Sequence, residues 1–313
     1  MKSIHIRPVN PEHDFAQISR WFSLLEDDAY DEPALKDYYQ KRQDKITASV
    51  AEGEDGKLLG FYWAFRTTPE LYNLDLLVDP ACRHQGTGTQ LYSHIEPRLI
   101  SLGAKRLEGN VQDSDADSLR FVTQRGFTER WHLIPYKLNL ETFDDQPYDA
   151  LIQRLQGEGF QFTSMEELGD TEEARRKLYA LNDSAGLDIP GRNGEHTWAT
   201  FEDFQQRVCQ VDWYRPGGQK VVIDTATGEW VAMSAITRFS NHADNLFTGV
   251  DKRYRGRKLA QAVKVVALRY AREVLQVSWV HTTHNTMNQP MIAIDVKFGY
   301  VRQPGTFIMR KDM

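Results

Sequence analysis

Short runs of alternating apolar and polar residues recur along the chain, and each run predicts a strand with one buried face. The first run covers Ile4 to Val9. The runs ITASVAEG and LLGFYWAF flank Glu54-Asp55-Gly56-Lys57, whose Asp-Gly pair favours a tight hairpin turn. The runs YNLDLLV, KRLEGNV and HLIPYKLNL supply further strands, with helical segments between them. We therefore expect the α/β class, with a mixed sheet of the α+β kind.

Apolar residues at helical spacing predict the helices between these strands. We expect a first helix from about Asp14 to Leu25 and a later one over SDADSLRFVTQRGF. The helix between them has a predicted buried face of Leu91, Ile95, Leu99 and Leu102. Pro97 lies inside this helix and should kink or shorten it, because proline lacks a backbone donor and clashes with the preceding turn.

The second half of the chain repeats the pattern of the first. VDPACRHQGTGTQLY, from Val78, aligns with VDKRYRGRKLAQAVK, from Val250, at an offset of 172. The turn GKLL aligns with GEWV at the same offset, and the helix end GF aligns with GY at 173. A repeat at long period in a chain of 313 residues predicts two domains. The polar stretch DDQP is the expected linker, which gives domains 1–143 and 144–313.

The predicted elements of the second copy correspond to those of the first. VVIDTATGEWVAMSAI is an expected hairpin, and NLFTGV and VSWVHTTHN are expected strands. A helix from about Met291 to Lys297 and the strand GTFIMRKD complete this copy. The long helix has a predicted apolar face of Leu259, Val263, Val266, Tyr270 and Val274.

Composition narrows the function classes. The net charge of −6 argues against a dedicated nucleic-acid binder, which needs a broadly basic surface. The two cysteines, Cys82 and Cys209, lie far apart and predict neither a disulfide framework nor a zinc site. MKSIHIRPVN has no apolar signal core, and no run approaches the roughly 20 apolar residues of a membrane span. We expect a cytoplasmic protein that needs no membrane.

A glycine-containing loop, Arg83-His84-Gln85-Gly86-Thr87-Gly88, lies between a strand and a helix. Backbone N–H groups at such a helix start favour anions, and glycines let the main chain approach a pyrophosphate closely. An ordinary turn is the alternative interpretation. The loop continues into no Walker lysine and forms no Rossmann fingerprint.

Arg83-x-x-Gly86-x-Gly88 after LDLLV resembles the acyl-CoA pyrophosphate loop of the GNAT superfamily. The order of elements in each half resembles the same fold. FTGVDKRYRGRKLAQAVK followed by HNTMNQPMIAIDVKFGY is similar to the C-terminal domain of tandem bacterial GNAT proteins with the mycothiol synthase type of architecture. The resemblance implies two tandem GNAT folds and an acyl-CoA-dependent N-acyltransferase, but it implies nothing about the acceptor.

The resemblance implies an opening between the fourth and fifth strands of each copy, where acetyl-CoA or another acyl-CoA binds as co-substrate, with no metal. In the first copy the backbone contacts fall at Leu76 and Val78. The phosphate contacts fall at Arg83, His84, Gln85, Gly86, Thr87 and Gly88. In the second copy the corresponding residues are Thr248, Val250, Arg255, Gly256, Arg257, Lys258, Leu259 and Ala260.

The second loop departs from the family pattern, because Lys258 stands where the first loop has Gly86. A lysine there either pairs with the pyrophosphate or fills the space that the cofactor needs. Five cations crowd this loop: Lys252, Arg253, Arg255, Arg257 and Lys258. They form either a solvated basic turn or a grip on the phosphates of coenzyme A.

Acyl transfer to an amine requires a neutral nucleophile, so a proton acceptor is expected. Asp75 is the first candidate base, with a plain surface carboxylate as the alternative, and Tyr72 on the same strand is the second. Many GNAT enzymes carry a tyrosine as general acid four residues before the Gly-Phe pair. Val122 and Asp295 occupy that position in the two copies.

Further polar residues of the second copy fall near its expected opening. His284 is a candidate catalytic residue, and Asn285 and Asn288 are implied contacts to the pantetheine, although Asn288 could equally cap the following helix. His281 lies three residues before His284, so the two should point to opposite faces of a strand and not share a metal.

Two acidic segments are candidates for the acceptor site, and plain solvated loops are the alternative in both. One segment is Asp188-Ile189-Pro190, and the other comprises Glu26, Asp27, Asp28, Asp31 and Glu32. The sequence predicts acetyl transfer from acetyl-CoA to a primary amine of a small molecule. A non-catalytic acyl-CoA-binding module, with one or both copies degenerate, is the alternative.

Overall fold

A computed structural model describes residues 4–23, 31–191, 194 and 196–313. The chain divides into two compact units. The first unit comprises Met1–Arg130 together with Thr306–Met313, and the second comprises Trp131–Gly305. In the described residues no helix is both long and apolar enough to cross a membrane.

The first unit follows the predicted order of elements. They are β1 (Ile4–Pro8), α1 (Pro11–Phe22), α2 (Glu32–Gln40), β2 (Ile46–Gly53), β3 (Leu58–Thr68), β4 (Leu71–Val78), α3 (Thr87–Ser101), β5 (Arg106–Gln112) and α4 (Ala116–Thr123). Neighbouring strands from β1 to β4 pair antiparallel, and β4 pairs with β5 in parallel.

The second unit repeats this arrangement. Its elements are β6 (Thr128–Asn139, which begins in the first unit), α5 (Asp149–Gly157), β7 (Phe160–Ser164), α6 (Glu172–Leu187), α7 (Phe201–Phe204), β8 (Gln219–Asp224), β9 (Trp230–Phe239), β10 (His242–Val250), α8 (Leu259–Glu273), β11 (Trp279–Asn285), α9 (Gln289–Phe298) and β12 (Val301–Arg302). The strands follow the order β7, β8, β9, β10, β11, β6, and β10 pairs with β11 in parallel. The chain ends with β13 (Thr306–Asp312).

Strand alternation places helices on both faces of the first unit's sheet. Phe61 and Trp63 of β3 pack with Phe15 of α1, whereas Tyr62 between them packs with Leu91 of α3. In the second unit α8 packs against β8, β9 and β10 through buried residues such as Val263. In each unit the carboxyl end of one strand therefore leads into the start of a helix packed on the sheet. In the first unit β4 leads into α3, and in the second unit β10 leads into α8.

The structural units do not coincide with the predicted split after residue 143. The last strand, β13, pairs antiparallel with β5 from Thr306↔Gln112 to Asp312↔Arg106 and so belongs to the first unit. Conversely, residues 133–139 of β6 pair with β11 of the second unit. Both pairings, β13 with β5 and β11 with β6, join strands that are far apart in the sequence. Local periodicity carries no information about such long-range pairing.

Two predicted helix details differ in the structure, and a third cannot be compared. The helix α3 continues through Pro97 to Ser101 instead of ending at the proline. Leu102 and Val274, expected on buried faces, are exposed because they are the C-cap residues at which the chain leaves α3 and α8. The helix α1 ends at Phe22, and the predicted end near Leu25 lies outside the described residues.

Candidate active site

In the first unit β4 and β5 separate soon after they meet. Their parallel pairing covers only Leu71↔Arg106, Tyr72↔Leu107 and Asn73↔Glu108. Because the amide of Asp79 donates to Leu59 O (2.9 Å), the odd-numbered residues of β4 direct their backbone groups toward β3. The backbone groups of Leu76 and Val78 therefore face the opening between β4 and β5.

The second unit contains an equivalent opening with a different cause. Its parallel strands pair only at Ala243↔Val280 and Asp244↔His281, and a β-bulge follows in β10 between Asn245 and Phe247. A bulge bends its strand and ends regular pairing. The amide of Asp251 donates to Val231 O (2.9 Å), so the backbone groups of Thr248 and Val250 face this opening.

The loop after each of these strands has the same backbone shape. Arg83 (φ −64°, ψ 161°) and Arg255 (φ −65°, ψ 162°) are extended. The next residues, His84 (φ 59°) and Gly256 (φ 81°), are left-handed. Two residues further on, the helix begins after a second left-handed residue, Gly86 in one copy and Lys258 in the other. Glycine thus occupies one of the two left-handed positions in each loop, but not the same one.

Arg83 and Arg255 stabilise these loops through hydrogen bonds to the backbone of the preceding strand. Arg83 Nε donates to Val78 O (3.5 Å), and Arg255 Nε donates to Val250 O (3.2 Å). Neither α3 nor α8 has a side-chain N-cap, whereas the Asn10 and Asp31 side chains cap α1 and α2. The first-turn N–H groups of α3 and α8 are therefore left for an anion.

The remaining predicted loop residues divide into exposed and inward-facing ones. His84 lies 3.4 Å from Asp117, and Gln85 donates to Ala81 O (3.4 Å). Thr87 and Leu259 are buried, so only their backbone groups are open to a ligand. A Cβ on Gly88 would lie 3.4 Å from both Val78 and Phe121. Its counterpart, Ala260, is half-buried and packs on the core of the second unit.

The five cations of the second loop do not act alike. Arg253 pairs with Asp251 (2.9 Å) and Glu229 (3.1 Å), and Arg255 pairs with Asp188 (2.8 Å). Lys252 is exposed. The other two, Arg257 and Lys258, line a cavity of about 690 Å³ together with Ala150, Leu151, Arg154, Glu158 and Gly256. Part of the cluster is therefore tied to carboxylates, and part faces a space large enough for a ligand.

The two catalytic candidates of the first unit lie on opposite faces of β4. Asp75, half-buried, sits opposite Trp63 of β3 on the face covered by α1 and α2. Tyr72 is only 3% exposed and belongs to the hydrophobic cluster under α3. Tyr72 therefore packs as a core residue. Val122, at the family's tyrosine position, packs against the same cluster.

A buried polar network fills the corresponding region of the second unit. Asp295 of α9 is fully buried and forms an ion pair with the equally buried Lys264 of α8. The His284 Nε2 atom of β11 lies 2.6 Å from the second oxygen of Asp295. Burial raises the pKa of Asp295, but the charge of Lys264 and the His284 hydrogen bond more than offset this, so its pKa lies below 3.8. Asp295 is thus an ionised carboxylate that orients His284 and is itself sealed from a ligand.

Sequence reasoning missed Lys264, which lies in the apolar stretch of α8. Its ammonium is 5.0 Å from the centre of the ring of Tyr300, a buried tyrosine whose pKa burial raises well above 10.0. A lone lysine among Val263, Val265 and Ala267 was the available signal, because a lysine buried on an apolar face requires a partner.

The asparagines and acidic segments have local contacts. Asn285 Oδ1 accepts from the Met287 amide (3.1 Å). Asn288 precedes α9, but its side chain makes no capping hydrogen bond. Asp31 caps α2 (2.9 Å from the Ala34 amide), and Glu32 pairs with Lys36 (3.1 Å). The other members of that acidic segment, Glu26, Asp27 and Asp28, lie outside the described residues.

Comparison with known proteins agrees with this geometry. Residues 15–127 match the model of the acetyltransferase (GNAT) family. The chain is similar to a GCN5-related N-acetyltransferase from Sphaerobacter thermophilus (17% identity, 99% of this chain, 95% of that chain, TM-score 0.73). It is also similar to a tandem GNAT protein from the clavulanic acid biosynthesis pathway, at 16% identity and a TM-score of 0.65. That alignment covers 99% of this chain and 98% of that chain. No curated protein sequence matches the chain.

A third similar structure is larger. It is the GCN5-related glucosamine N-acetyltransferase region of a fungal multi-domain GH3 β-N-acetylglucosaminidase, at 14% identity and a TM-score of 0.74. The alignment covers 99% of this chain but only 38% of that protein. At these identities the likeness shows the fold alone.

Two openings, each followed by a loop of the same backbone shape, and the family match over the first of them define the fold. Residues 15–127 match the GNAT family model, and the chain as a whole has the fold of two GNAT domains in tandem. The family that residues 15–127 match is a family of acetyltransferases.

Proposed function

We propose that the first unit transfers the acetyl group of acetyl-CoA directly to a primary amine of a small-molecule acceptor. The observation that carries this proposal is the separation of β4 from β5 beside a loop whose helix has no side-chain cap. An extended pantetheine arm can pair with a strand edge, and a pyrophosphate can accept from a helix start.

The residues of the first unit fit acetyl-CoA both along the opening between β4 and β5 and at the loop before α3. Leu76 and Val78 offer backbone groups along the opening, and the loop from Arg83 to Gly88 offers its amides. A Cβ built on Gly86 would meet nothing within 4 Å, so the main chain there is open to a ligand. The bound co-substrate would supply the activated thioester, and the protein would supply position and proton transfer.

Asp75 is the proposed proton acceptor. An amine with a pKa of about 10.4 is protonated at neutral pH, and freeing it costs roughly 4 to 5 kcal/mol. Asp75 lies two residues after Asn73, the last residue of β4 that pairs with β5, and directly before Leu76, so its carboxylate lies beside the opening on the α1 and α2 face. A carboxylate there both attracts a cationic amine and takes its proton.

For the second unit we propose acyl-CoA binding without turnover. Its opening and loop match those of the first, but Arg255 is engaged by Asp188 and Asp295 is sealed behind Lys264. His284, oriented by Asp295, is the remaining group that could carry a proton. Turnover in this unit would therefore depend on His284, which makes the two units separable by mutation.

The test is thiol release from acetyl-CoA across a panel of primary amines. Asp75→Asn should lower kcat roughly 100-fold, the size typical of a lost general base, while the exposed Asp44→Asn control keeps full activity. His284→Gln should leave turnover unchanged. Loss of turnover only in His284→Gln would transfer the activity to the second unit and overturn the assignment.

Calorimetry with acetyl-CoA, combined with the turnover assay, distinguishes an enzyme from a non-catalytic acyl-CoA-binding module. Two molecules bound per chain support both proposals. Binding without turnover of any amine in the panel would mean that the whole chain is an acyl-CoA-binding module.

A further inference from the structure

Three metal-ligating side chains converge on one face of the second unit's sheet. His242 and Asp244 lie two residues apart on β10, so both point to the same side, and His281 is the register partner of Asp244 on β11. One potential ligand atom from each residue lies within 4.8 Å of the other two. The side chains are partly buried, with 15%, 31% and 27% exposed for His242, Asp244 and His281.

The spacing of these atoms suits a cation better than hydrogen bonds. His242 Nε2 is 3.6 Å and His281 Nδ1 is 4.0 Å from Asp244 Oδ1, both too long for a hydrogen bond. Ligands bound tetrahedrally at about 2.0 to 2.1 Å from a metal lie roughly 3.4 Å apart. A small shift of the rings would therefore place all three atoms around one ion.

A neighbouring side chain prepares one ring for this role. His242 Nδ1 lies 3.2 Å from Asn241 Oδ1, a carbonyl oxygen that accepts a hydrogen bond from the N–H at Nδ1. That tautomer leaves the Nε2 lone pair facing the Asp244 carboxylate. Without a cation between them, the lone pairs of Nε2 and of the carboxylate oxygen would repel each other. Metal-bound histidines characteristically use their other nitrogen in this way. The His242 and His281 rings stack at 4.0 Å between centres, which would be unfavourable for two imidazolium cations.

We propose that His242, Asp244 and His281 bind a divalent transition-metal ion, with Zn²⁺ as the best match to two imidazoles and one carboxylate. Three protein ligands leave one position of a tetrahedral site for water. Lys137, the cross-strand neighbour of His281, is partly exposed and can extend its ammonium into solvent when the cation binds.

The location assigns the ion a structural role. Asp244↔His281 is the last paired position before β10 and β11 separate, so the ion would join the two strands at the base of the opening. Val250, at the loop end of β10, lies six positions after Asp244, which corresponds to at most roughly 20 Å of strand. The site is therefore separate from the loop that is proposed to bind the phosphates of acyl-CoA, and the metal proposal does not rest on the proposed function.

The experiment is titration of untagged, chelator-treated full-length protein with ZnCl₂ by calorimetry, and with Co²⁺ by absorption spectroscopy. We expect one Zn²⁺ per chain, a tetrahedral Co²⁺ spectrum and a Tm that rises with Zn²⁺. Asp244→Asn and His281→Gln preserve size and should each weaken binding at least about 10-fold. The matched control is His196→Ala, because His196 pairs with Asp183 (2.7 Å) and belongs to no such group.

Circular dichroism of the metal-free variants checks that each one folds. The Co²⁺ spectrum of the unmutated protein tests the ligand set even if a variant does not fold. Absence of stoichiometric Zn²⁺ binding, or binding that survives both Asp244→Asn and His281→Gln, would overturn the proposal.

Discussion

At the scale of single residues, the two loops show that backbone conformation matters more than the glycine itself. Gly86 and Lys258 occupy equivalent left-handed positions, at φ 89° and 68°. A non-glycine residue pays about 1 kcal/mol for this conformation. The second loop nevertheless keeps the shape of the first, and strain maintained at one place favours a binding role there.

Substitution of Gly86 separates that binding role from backbone strain. Gly86→Ala and Gly103→Ala should each lower the free energy of unfolding by about 1 kcal/mol, because both glycines have positive φ and open space around a Cβ. Only Gly86→Ala should weaken acetyl-CoA binding, since its methyl group enters the space of the pyrophosphate. Urea unfolding and calorimetry measure the two effects. Equal acetyl-CoA affinities of both variants would contradict the phosphate role of this loop.

At the scale of secondary-structure elements, the Lys264, Asp295 and His284 network links α8, α9 and β11. Removing one partner of a buried ion pair leaves an uncompensated charge, at a typical cost of about 3 to 5 kcal/mol. Lys264→Met should therefore destabilise the protein by this amount in urea unfolding at neutral pH. Lys264→Met combined with Asp295→Leu should recover part of the loss. A single variant no less stable than the double would show that the pair contributes nothing.

The same network predicts a pH dependence. The pKa of Asp295 is lowered in the folded protein, so it contributes stability at pH values above its ordinary pKa of 3.8. This contribution disappears as the pH falls through the lowered pKa. The free energy of unfolding of the native protein should therefore fall more steeply with acid than that of the Lys264→Met, Asp295→Leu variant. Parallel pH profiles from urea unfolding would contradict an ionised Asp295.

These elements also show how far the sequence leads. Periodicity located the strands around both openings, and the repeat located the second loop, because both signals are local. The network could not be predicted, since Lys264, His284 and Asp295 come from three elements that only packing brings together. His242 and Asp244 were missed for the same reason, because their partner His281 joins them through a parallel pairing of two residues. The burial of Tyr72 under α3 could not be predicted either, because alternation alone does not tell which face of β4 is the core.

At the scale of the whole molecule, the chain order of the strands makes folding of the first unit depend on the last residues. β13 covers the edge of β5 through seven register pairs, and Met309 is buried in the core of the first unit. Lys311 forms an ion pair with Glu96 of α3 and donates to the Tyr92 hydroxyl (3.1 Å). A fragment that ends at residue 143 lacks all of these contacts and leaves β5 as an open edge.

We therefore expect fragment 1–143 to be unfolded or aggregated, whereas residues 1–130 joined to 306–313 through a flexible Gly/Ser linker should fold. Circular dichroism and cooperative urea unfolding distinguish the two chains. The matched control carries the same linker and tail with Met309→Asp, which keeps the length but places a charge in the core. If fragment 1–143 unfolds as cooperatively as the linked chain, the first unit does not need the C-terminal strand. If only the linked chain folds, the first GNAT fold can be completed only after the second unit has been synthesised, because β13, which pairs with β5, follows the second unit in the chain.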